Sequence, residues 1–245
     1  AWEQLPEVPL GQNRKKVKGG TDLVYVPSLT DGDDYVYLMK GYKTEFYRYN
    51  TVTAFWDTLH SLPFGYKEKW DKGSWICYDG EHTIYAHKAK YHDFYTYDLD
   101  SMAWGTENLG GMPYVGRAGR RKKSKDGGSA AWYDGCIYAL KGGNTQQFWQ
   151  YDIARDTWTE GDTIPTNGST GRKKRVKYGA DLVSWGGGAF FALKGNKTRE
   201  LWRYKAALSL SPPLSLPAPR SPCAASTSSI APTRRSRAIR RPVVG

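Results

Sequence analysis

Short runs rich in β-branched and aromatic residues recur along the chain, and segments rich in Gly, Asp, Asn and Pro separate them. Four long segments read alike: DDYVYLMKGYKTEFYRYNTVTAFW, EHTIYAHKAKYHDFYTYDLDSMAW, DGCIYALKGGNTQQFWQYDIARDTW and GGAFFALKGNKTRELWRY. A further apolar run precedes each of them, at residues 21–26, 74–78, 129–133 and 180–185. Each repeat therefore holds short runs with the pattern of a four-stranded antiparallel sheet, although the fourth copy lacks the last Trp.

Equivalent apolar positions define the period of the repeat. The first shared aromatic recurs in steps of 48, 53 and 53 residues, at Tyr37, Tyr85, Tyr138 and Phe191. A second apolar position follows at Phe46, Phe94, Phe148 and Leu201. Steps of this length are typical of propellers and solenoids. Because a single four-stranded sheet cannot cover both of its faces, whereas sheets packed around an axis can, we interpret each repeat as one blade of a β-propeller.

The residues around the strand ends resemble those of the kelch-repeat family. Three elements carry the resemblance: a glycine after the second strand (Gly41, Gly142, Gly195), a Tyr-Asn or Tyr-Asp pair (Tyr49-Asn50, Tyr97-Asp98, Tyr151-Asp152), and a Trp six residues after the pair (Trp56, Trp104, Trp158). Kelch strands usually end in Gly-Gly, whereas here Lys precedes the glycine and Ala89 replaces it in the second copy. The Lys-Gly variant is similar to kelch-like repeats of predicted secreted prokaryotic proteins. The resemblance implies an all-β kelch-like propeller and an extracellular or cell-surface location, while the residues themselves leave the compartment unknown.

The repeats divide the chain into a propeller over residues 1–205, with blades at approximately 14–63, 64–113, 114–165 and 166–205. Residues 1–9 are predicted to supply a closing strand, because Trp2 and Pro9 have the same seven-residue spacing as Trp56 and Pro63. Two interpretations stay open: four blades that close into a small ring, or four blades of a six- or seven-bladed ring. We favour the longer ring, since four blades is the lower limit of common propeller sizes.

Residues 206–245 differ in composition from everything before them. They contain no aromatic residue, no Lys and no acid, but they contain six Arg residues among Pro, Ser and Ala. Such a composition cannot bury enough apolar surface to fold. We expect either a disordered linker or an out-of-frame translation of a continuing propeller, with a basic nucleic-acid-binding tail as a third alternative.

The net charge of +12 is concentrated in the connectors that lead into each blade. These connectors, GQNRKKVKGG, GYKEKWDKGS, GRAGRRKKSKDGG and GRKKRVKYGA, hold 18 of the 36 Lys and Arg residues and three acids. Since equivalent loops emerge on the same side of a propeller, they predict a positive ring on an otherwise acidic body. One interpretation is a set of solvated loops that favour solubility. The other is an anion-binding face, formed by Arg14, Lys15, Lys16, Lys67, Lys69, Arg121, Lys122, Lys123, Arg172, Lys173, Lys174 and Arg175.

A lysine ends the second strand of every repeat, at Lys40, Lys88, Lys141 and Lys194. If that strand lies near the axis, the four amines would line the central channel and bind a small anion. The alternative is a structural lysine that binds loop carbonyls or pairs with the acid that follows it, at Glu45, Asp93 or Glu200. We favour the structural role, because pairing lowers the free-energy cost of a semi-buried charge.

Catalytic motifs are sparse in this sequence. His82, His87 and His92 fall in one repeat and His60 stands apart, so we predict no metal site and no cofactor. No apolar run reaches the roughly 18 residues that span a bilayer. We therefore expect a non-enzymatic binding or scaffolding propeller whose partner is a protein or an acidic polysaccharide, with nucleic acid less favoured. The alternative is a carbohydrate-active or oxidoreductase-type kelch enzyme whose site the sequence does not reveal.

Overall fold

The computed structural model describes residues 1–28, 32–169 and 171–206, which consist of β-strands and loops with no helix. The predicted tail lies outside the described residues, apart from Ala206. Blade 1 contains β1 (Asp22–Val26), β2 (Tyr35–Met39), β3 (Phe46–Asn50) and β4 (Trp56–Thr58). Blade 2 contains β5 (Trp75–Tyr78), β6 (Thr83–His87), β7 (Phe94–Asp98) and β8 (Ala103–Trp104). Blade 3 contains β9 (Ser129–Tyr133), β10 (Cys136–Leu140), β11 (Phe148–Asp152) and β12 (Thr157–Glu160), and blade 4 contains β13 (Asp181–Gly186), β14 (Ala189–Leu193) and β15 (Leu201–Lys205).

The four sheets form the blades of a β-propeller, as the repeat predicts. Within each sheet consecutive strands pair antiparallel, in the order inner strand to outer strand. Blades 1 to 3 have four strands each, whereas blade 4 has three in the described part of the chain. The all-β fold class is confirmed, and the fourth blade is one strand short of the repeat. Where the structure describes the chain, no helix is long and apolar enough to cross a membrane.

The first strand of every blade lies closest to the axis. Residues of β1, β5, β9 and β13 together line a central channel of about 680 Å³. Neighbouring inner strands contact one another in chain order, β1 with β5, β5 with β9 and β9 with β13. This order places the start of every inner strand, where its connector arrives, at the same end of the molecule.

Each interface between blades joins two defined sheet faces. We call one face of each blade its front face; in blade 1 it carries Tyr37, the repeated aromatic, and Phe46, at the start of the third strand. This front face packs on the opposite face, the back face, of the next blade. Phe46 of blade 1 packs against Tyr97 and Trp104 of blade 2, with ring centroids 5.1 and 5.0 Å away. Phe148 of blade 3 packs in the same way on Tyr204 of blade 4, at 4.7 Å. The three resulting cores bury the large side chains of the repeat.

The repeated tryptophans attach each outer strand to the connector that precedes its blade. The indole Nε1–H of Trp56 donates to the carbonyl of Pro6 at 3.0 Å, and that of Trp104 donates to the carbonyl of His60 at 3.0 Å. In blade 3, Trp158 donates to the carbonyl of Gly110 at 2.6 Å. Each half-buried Trp therefore packs its ring against a Tyr of the neighbouring strand, while its polar atom is hydrogen-bonded to the chain arriving from the previous blade.

A glycine before each of the first three inner strands allows neighbouring connectors to approach closely. A Cβ on Gly73 would lie 2.0 Å from the carbonyl oxygen of Lys125, and one on Gly127 would lie 2.2 Å from that of Lys177. Both glycines have positive φ, +88° and +84°. These positions thus require glycine for two reasons: the backbone is left-handed, and the next blade occupies the space that a side chain would need.

Replacing Gly73 by Ala is expected to lower the free energy of unfolding by about 3 kcal/mol, because left-handed strain adds to a clash with the neighbouring backbone. Gly135→Ala is the matched control, since Gly135 has φ of +70° but no atom within 4 Å of its Cβ position. Strain alone predicts a loss of about 1 kcal/mol there. Urea unfolding curves of both variants measure the difference, and equal losses would contradict the close approach between blades 2 and 3.

Candidate functional site

The four connectors meet at one end of the channel. Their last residues line a depression of about 270 Å³, to which each connector contributes two residues: Gly19, Gly20, Lys72, Gly73, Asp126, Gly127, Tyr178 and Gly179. The sequence clusters thus lie around one mouth of the channel. We call this end, formed by residues 11–20, 65–74, 116–128 and 171–180, the connector face.

Most cations predicted for this face are exposed and lack carboxylate partners. Eleven of the twelve side chains are solvent-exposed, and Lys174 is half-buried. Among the described residues, only Lys69 of this set forms an ion pair, with Asp71 at 3.6 Å. Arg121 and Lys69 lie over tyrosine rings, 4.0 Å from the centroid of Tyr114 and 3.8 Å from that of Tyr42. The face therefore presents positive charge to solvent with little neutralisation by the protein itself.

A cavity of about 460 Å³ opens between the third and fourth connectors. Its cations come from both connectors: Arg117, Arg120, Lys122 and Arg175. Arg117 is already engaged, because its guanidinium donates to the carbonyls of Glu160 and Gly161 and its backbone N–H donates to the Glu160 carboxylate. No carboxylate in the described chain lies within ion-pair distance of Arg120, Lys122 or Arg175.

Amide groups add hydrogen-bonding capacity to this cavity. Asn144, Gln146 and Gln147 line it together with Thr145 and Thr163. Gln147 is buried, and its Oε1 has no hydrogen-bond partner among the described residues. The cavity therefore combines cations that suit an anionic group with a buried acceptor that suits a hydroxyl or N–H donor.

The repeated lysines are not among the residues that line the channel, and their contacts are those of the structural alternative favoured above. Lys40, Lys88, Lys141 and Lys194 are fully buried between their blade and the connector that precedes it. Each Nζ donates to two backbone carbonyls at the start of the connector or in the few residues before it. In blade 1 these are Pro9 and Leu10, at 2.8 and 2.9 Å, and in blade 4 they are Pro165 and Thr166, at 2.8 and 3.0 Å. The strand that carries the lysine is the second in the sheet, so its end lies away from the axis, beneath the connector.

The residue before the third strand decides how well each lysine is neutralised. Lys194 lies 2.7 Å from Glu200 and Lys40 lies 3.3 Å from Glu45, whereas Lys88 and Asp93 are 3.9 Å apart. In blade 3 this position is Gln147, which carries no charge. Burial lowers the pKa of Lys88 and of Lys141 to about 8. The Asp93 carboxylate opposes this effect only partly at Lys88, and Glu160 does so at Lys141.

A glycine near the start of every connector completes this arrangement, and the sequence analysis missed it. A Cβ on Gly65 would lie 2.1 Å from the Asp93 carboxylate, and one on Gly11 would lie 2.1 Å from that of Glu45. Gly116 and Gly168 approach Gln147 and Glu200 in the same way, at 2.2 Å. The available signal was a glycine two or three residues after the proline that precedes each connector: Gly11, Gly65, Gly116 and Gly168.

The channel wall is acidic rather than basic. Asp22 and Asp181, at the starts of β1 and β13, both face it. The Asp22 carboxylate accepts a hydrogen bond from the Ile76 N–H at 2.9 Å, and burial raises the pKa of Asp22 to about 6. Asp181 accepts a hydrogen bond from the Ser129 hydroxyl at 2.6 Å. These side chains link neighbouring blades near the axis.

The three histidines of the second repeat do not come together at one site, although the ring centroids of His87 and His92 lie 5.4 Å apart. His82 is exposed and lies 3.2 Å from Asp100, whereas His87 is buried against Trp75 with ring centroids 5.1 Å apart. His92 Nε2 accepts a hydrogen bond from the Ser124 N–H at 2.9 Å, so its Nδ1–H donates to the carbonyl of Met112. Burial lowers the pKa of His92 to about 4, which keeps the ring neutral. The described residues contain no group of three potential metal ligands.

Comparisons with known proteins bear on the fold alone. No protein-family model and no curated protein matches the sequence. Among solved structures, the protein named YjhT is similar with a TM-score of 0.50 and 15% identity, covering 85% of this chain and 68% of that one. A structural-genomics protein of unknown function from Bacteroides thetaiotaomicron matches with a TM-score of 0.46 and 15% identity, covering 66% of this chain. This chain spans 42% of the length of that protein.

Lys194→Met is expected to cost about 4 kcal/mol of unfolding free energy, because it leaves Glu200 buried without its cation. Lys141→Met is the matched variant and should cost only about 1.5 kcal/mol, since Gln147 needs no counter-charge and two carbonyls lose a donor. Chemical denaturation at pH 7 compares the two. Equal costs would show that the ion pair does not distinguish blade 4 from blade 3.

His87→Leu is expected to stabilise the protein by about 1 kcal/mol at pH 7, because neither ring nitrogen of His87 has a hydrogen-bond partner in the described chain. Burial holds the pKa of His87 well below its usual range, so the unfolded state takes up a proton first as the pH falls below about 6.5. The advantage of the variant should therefore grow by about 2 kcal/mol between pH 7 and pH 5.

Unfolding midpoints measured at pH 7, 6 and 5 test this, with the exposed His60→Gln as control. Parallel curves for wild type and His87→Leu would contradict a neutral, unsatisfied His87.

Proposed function

We propose that this protein is a non-enzymatic binding module whose connector face takes an acidic polysaccharide. One observation carries the proposal: four basic loops from four blades converge at one channel mouth, with their cations exposed and almost without carboxylate partners. The fold alone brings equivalent loops to one end, but it does not require that their cations be exposed there with one ion pair among twelve in the described chain. A site repeated in every blade suits a ligand that is itself a repeating polyanion.

Electrostatics supports a long anionic ligand. Like charges gathered around a concave mouth with low-dielectric walls raise the local concentration and the association rate of a polyanion. The acidic residues of the channel wall, Asp22 and Asp181, lie below this mouth. They repel an anion from the channel itself, so the ligand is expected to lie across the connectors rather than along the axis.

The cavity between the third and fourth connectors supports a carbohydrate over other polyanions. Arg120, Lys122 and Arg175 suit a carboxylate or sulfate group, while the unpartnered Gln147 Oε1 suits a hydroxyl donor. Acidic sugars carry both groups on one ring. A volume of about 460 Å³ is within the range of small-molecule binding sites. Tyr114 and Tyr42, beneath Arg121 and Lys69, hold these cations in place on the face.

Membership of the kelch-repeat family is part of this proposal. It is supported by the Tyr-Asn and Tyr-Asp pairs, by the tryptophans that follow them and by the strand-end glycines of the repeat. The same resemblance supports an extracellular or cell-surface location, where acidic polysaccharides are encountered.

Neutralising Lys173 and Arg175 together (Lys173→Gln, Arg175→Gln) is expected to weaken binding to a heparin-like polysaccharide about tenfold at ~50 mM salt, since two exposed cations leave the connector face. The matched control is Arg155→Gln with Lys205→Gln, which removes the same net charge from the opposite end of the blades. Isothermal titration at several salt concentrations measures both affinity and salt dependence.

Equal weakening by both double variants would show that net charge, and not the connector face, determines binding. A folded wild-type protein that binds neither heparin-like polysaccharide nor polygalacturonate at ~50 mM salt would overturn the proposal. Preference for a polyglutamate peptide over both polysaccharides would assign the face to an acidic protein segment instead.

A further inference from the structure

The front face of blade 4 is exposed at positions that are buried in every other blade. Leu201 of blade 4 is 65% exposed, whereas its equivalents Phe46, Phe94 and Phe148 are at most 3% exposed. Val183 and Leu193 on the same face are 53% and 43% exposed. No described residue forms a core with this face, while the front faces of blades 1, 2 and 3 each form one with the next blade.

The inner strand of blade 1 is likewise exposed on the back face of its sheet. Leu23 and Tyr25 of β1 are exposed, although the equivalent residues of blade 2, Ile76 and Tyr78, pack in the core between blades 1 and 2. On the same back face Leu38, Tyr47 and Tyr49 are buried, so only its inner strand is open. The exposed surfaces therefore lie on one front face and on the inner part of one back face, of the kinds that pair at the three internal interfaces.

Two further features of the repeat lack their usual contacts at blade 4 and at the start of blade 1. Gly179 has nothing within 4 Å of its Cβ position, whereas its equivalents Gly20, Gly73 and Gly127 all approach the connector of the next blade. Blade 4 also ends at β15, with no described outer strand, while Trp2 is fully exposed. Trp2 precedes blade 1 at the spacing of a repeat tryptophan and lacks a strand to pair with.

We propose that two copies of this chain associate head to tail, each placing its blade 1 on the open face of the other's blade 4. The same geometry that joins blades 1 to 2, 2 to 3 and 3 to 4 within a copy would then join blade 4 to blade 1 of its partner. Residues 1–5 of one copy would supply the missing outer strand beside β15 of the other, with Trp2 in the position of Trp56, Trp104 and Trp158.

A closed pair accounts for all the open surfaces at once. A head-to-tail contact either closes into a ring or continues as an open series. Two copies of four blades close with two identical interfaces and no unpaired face, and eight blades lies within the common range of propellers. Contact between blades 4 and 1 of a single copy is the competing arrangement. It is disfavoured because these faces form no shared core in the structure, although both belong to the same described unit.

The chain of residues 1–245 is used for the test, by sedimentation velocity and light scattering between ~1 and ~100 µM. Wild type is expected at twice the chain mass of 27.6 kDa. Leu201→Arg and Leu23→Arg, one on each open face, should each raise the dimer dissociation constant at least about thirtyfold. Both residues are exposed within a single copy, so neither variant should unfold it. Val52→Arg, an exposed substitution in the turn between β3 and β4, is the matched control and should leave the mass unchanged.

Mixing the two variants provides a more stringent test. A Leu201→Arg copy retains an intact blade 1, and a Leu23→Arg copy retains an intact blade 4, so the mixture should form a dimer through one interface while neither variant does so alone. A doubly substituted chain should stay monomeric in the same mixture. Circular dichroism of each variant confirms the fold.

Three results would overturn the proposal. A wild-type protein that stays monomeric at ~100 µM excludes the pair. A dimer that survives both substitutions uses another surface. Larger oligomers that dissociate when either Leu201 or Leu23 is replaced by Arg would show an open head-to-tail series rather than a closed ring of two copies.

Discussion

Covering both faces of a small sheet is the constraint on which this structure depends. Every blade places large aromatic or aliphatic side chains on its front and its back, so each is stable only between two neighbours. Phe46, Phe94 and Phe148 each meet a Tyr of the next blade, and this repeated contact sets the spacing of the sheets. The order of the blades around the axis follows from it, because one face fits only the opposite face of its neighbour.

A buried ammonium group joins this core to the connector face. Each repeat lysine holds the start of its connector by two carbonyls, so the basic loops leave the propeller from fixed points. The acid beside the lysine compensates part of the cost of burying its charge, and a nearby glycine lets the connector approach that acid. Buried and exposed positive charge are thus separated: the lysines inside hold the loops, and the cations outside face solvent.

Much of this arrangement could be predicted from the sequence. The period of the repeat, the antiparallel order of strands and the shared side of the connectors all follow from residues that recur in register, such as Tyr37 and its equivalents. For Lys40, Lys88, Lys141 and Lys194 the sequence left a channel position and a structural role open, for a physical reason. A strand pattern shows which residues alternate, but it does not show whether the end of a strand points to the axis or lies beneath a loop.

The sequence by itself determined the blades, their order and the clustering of basic residues, because these depend on local patterns repeated along the chain. Only the tertiary structure decided which of the similar positions are buried. Leu201 occupies the same place in the repeat as Phe94, yet it is exposed because no fifth sheet covers it among the described residues. Likewise the cavity beside Gln147 depends on how two connectors distant in sequence approach each other. Burial and cavity shape are properties of neighbours in space, and a repeat pattern specifies only neighbours in sequence.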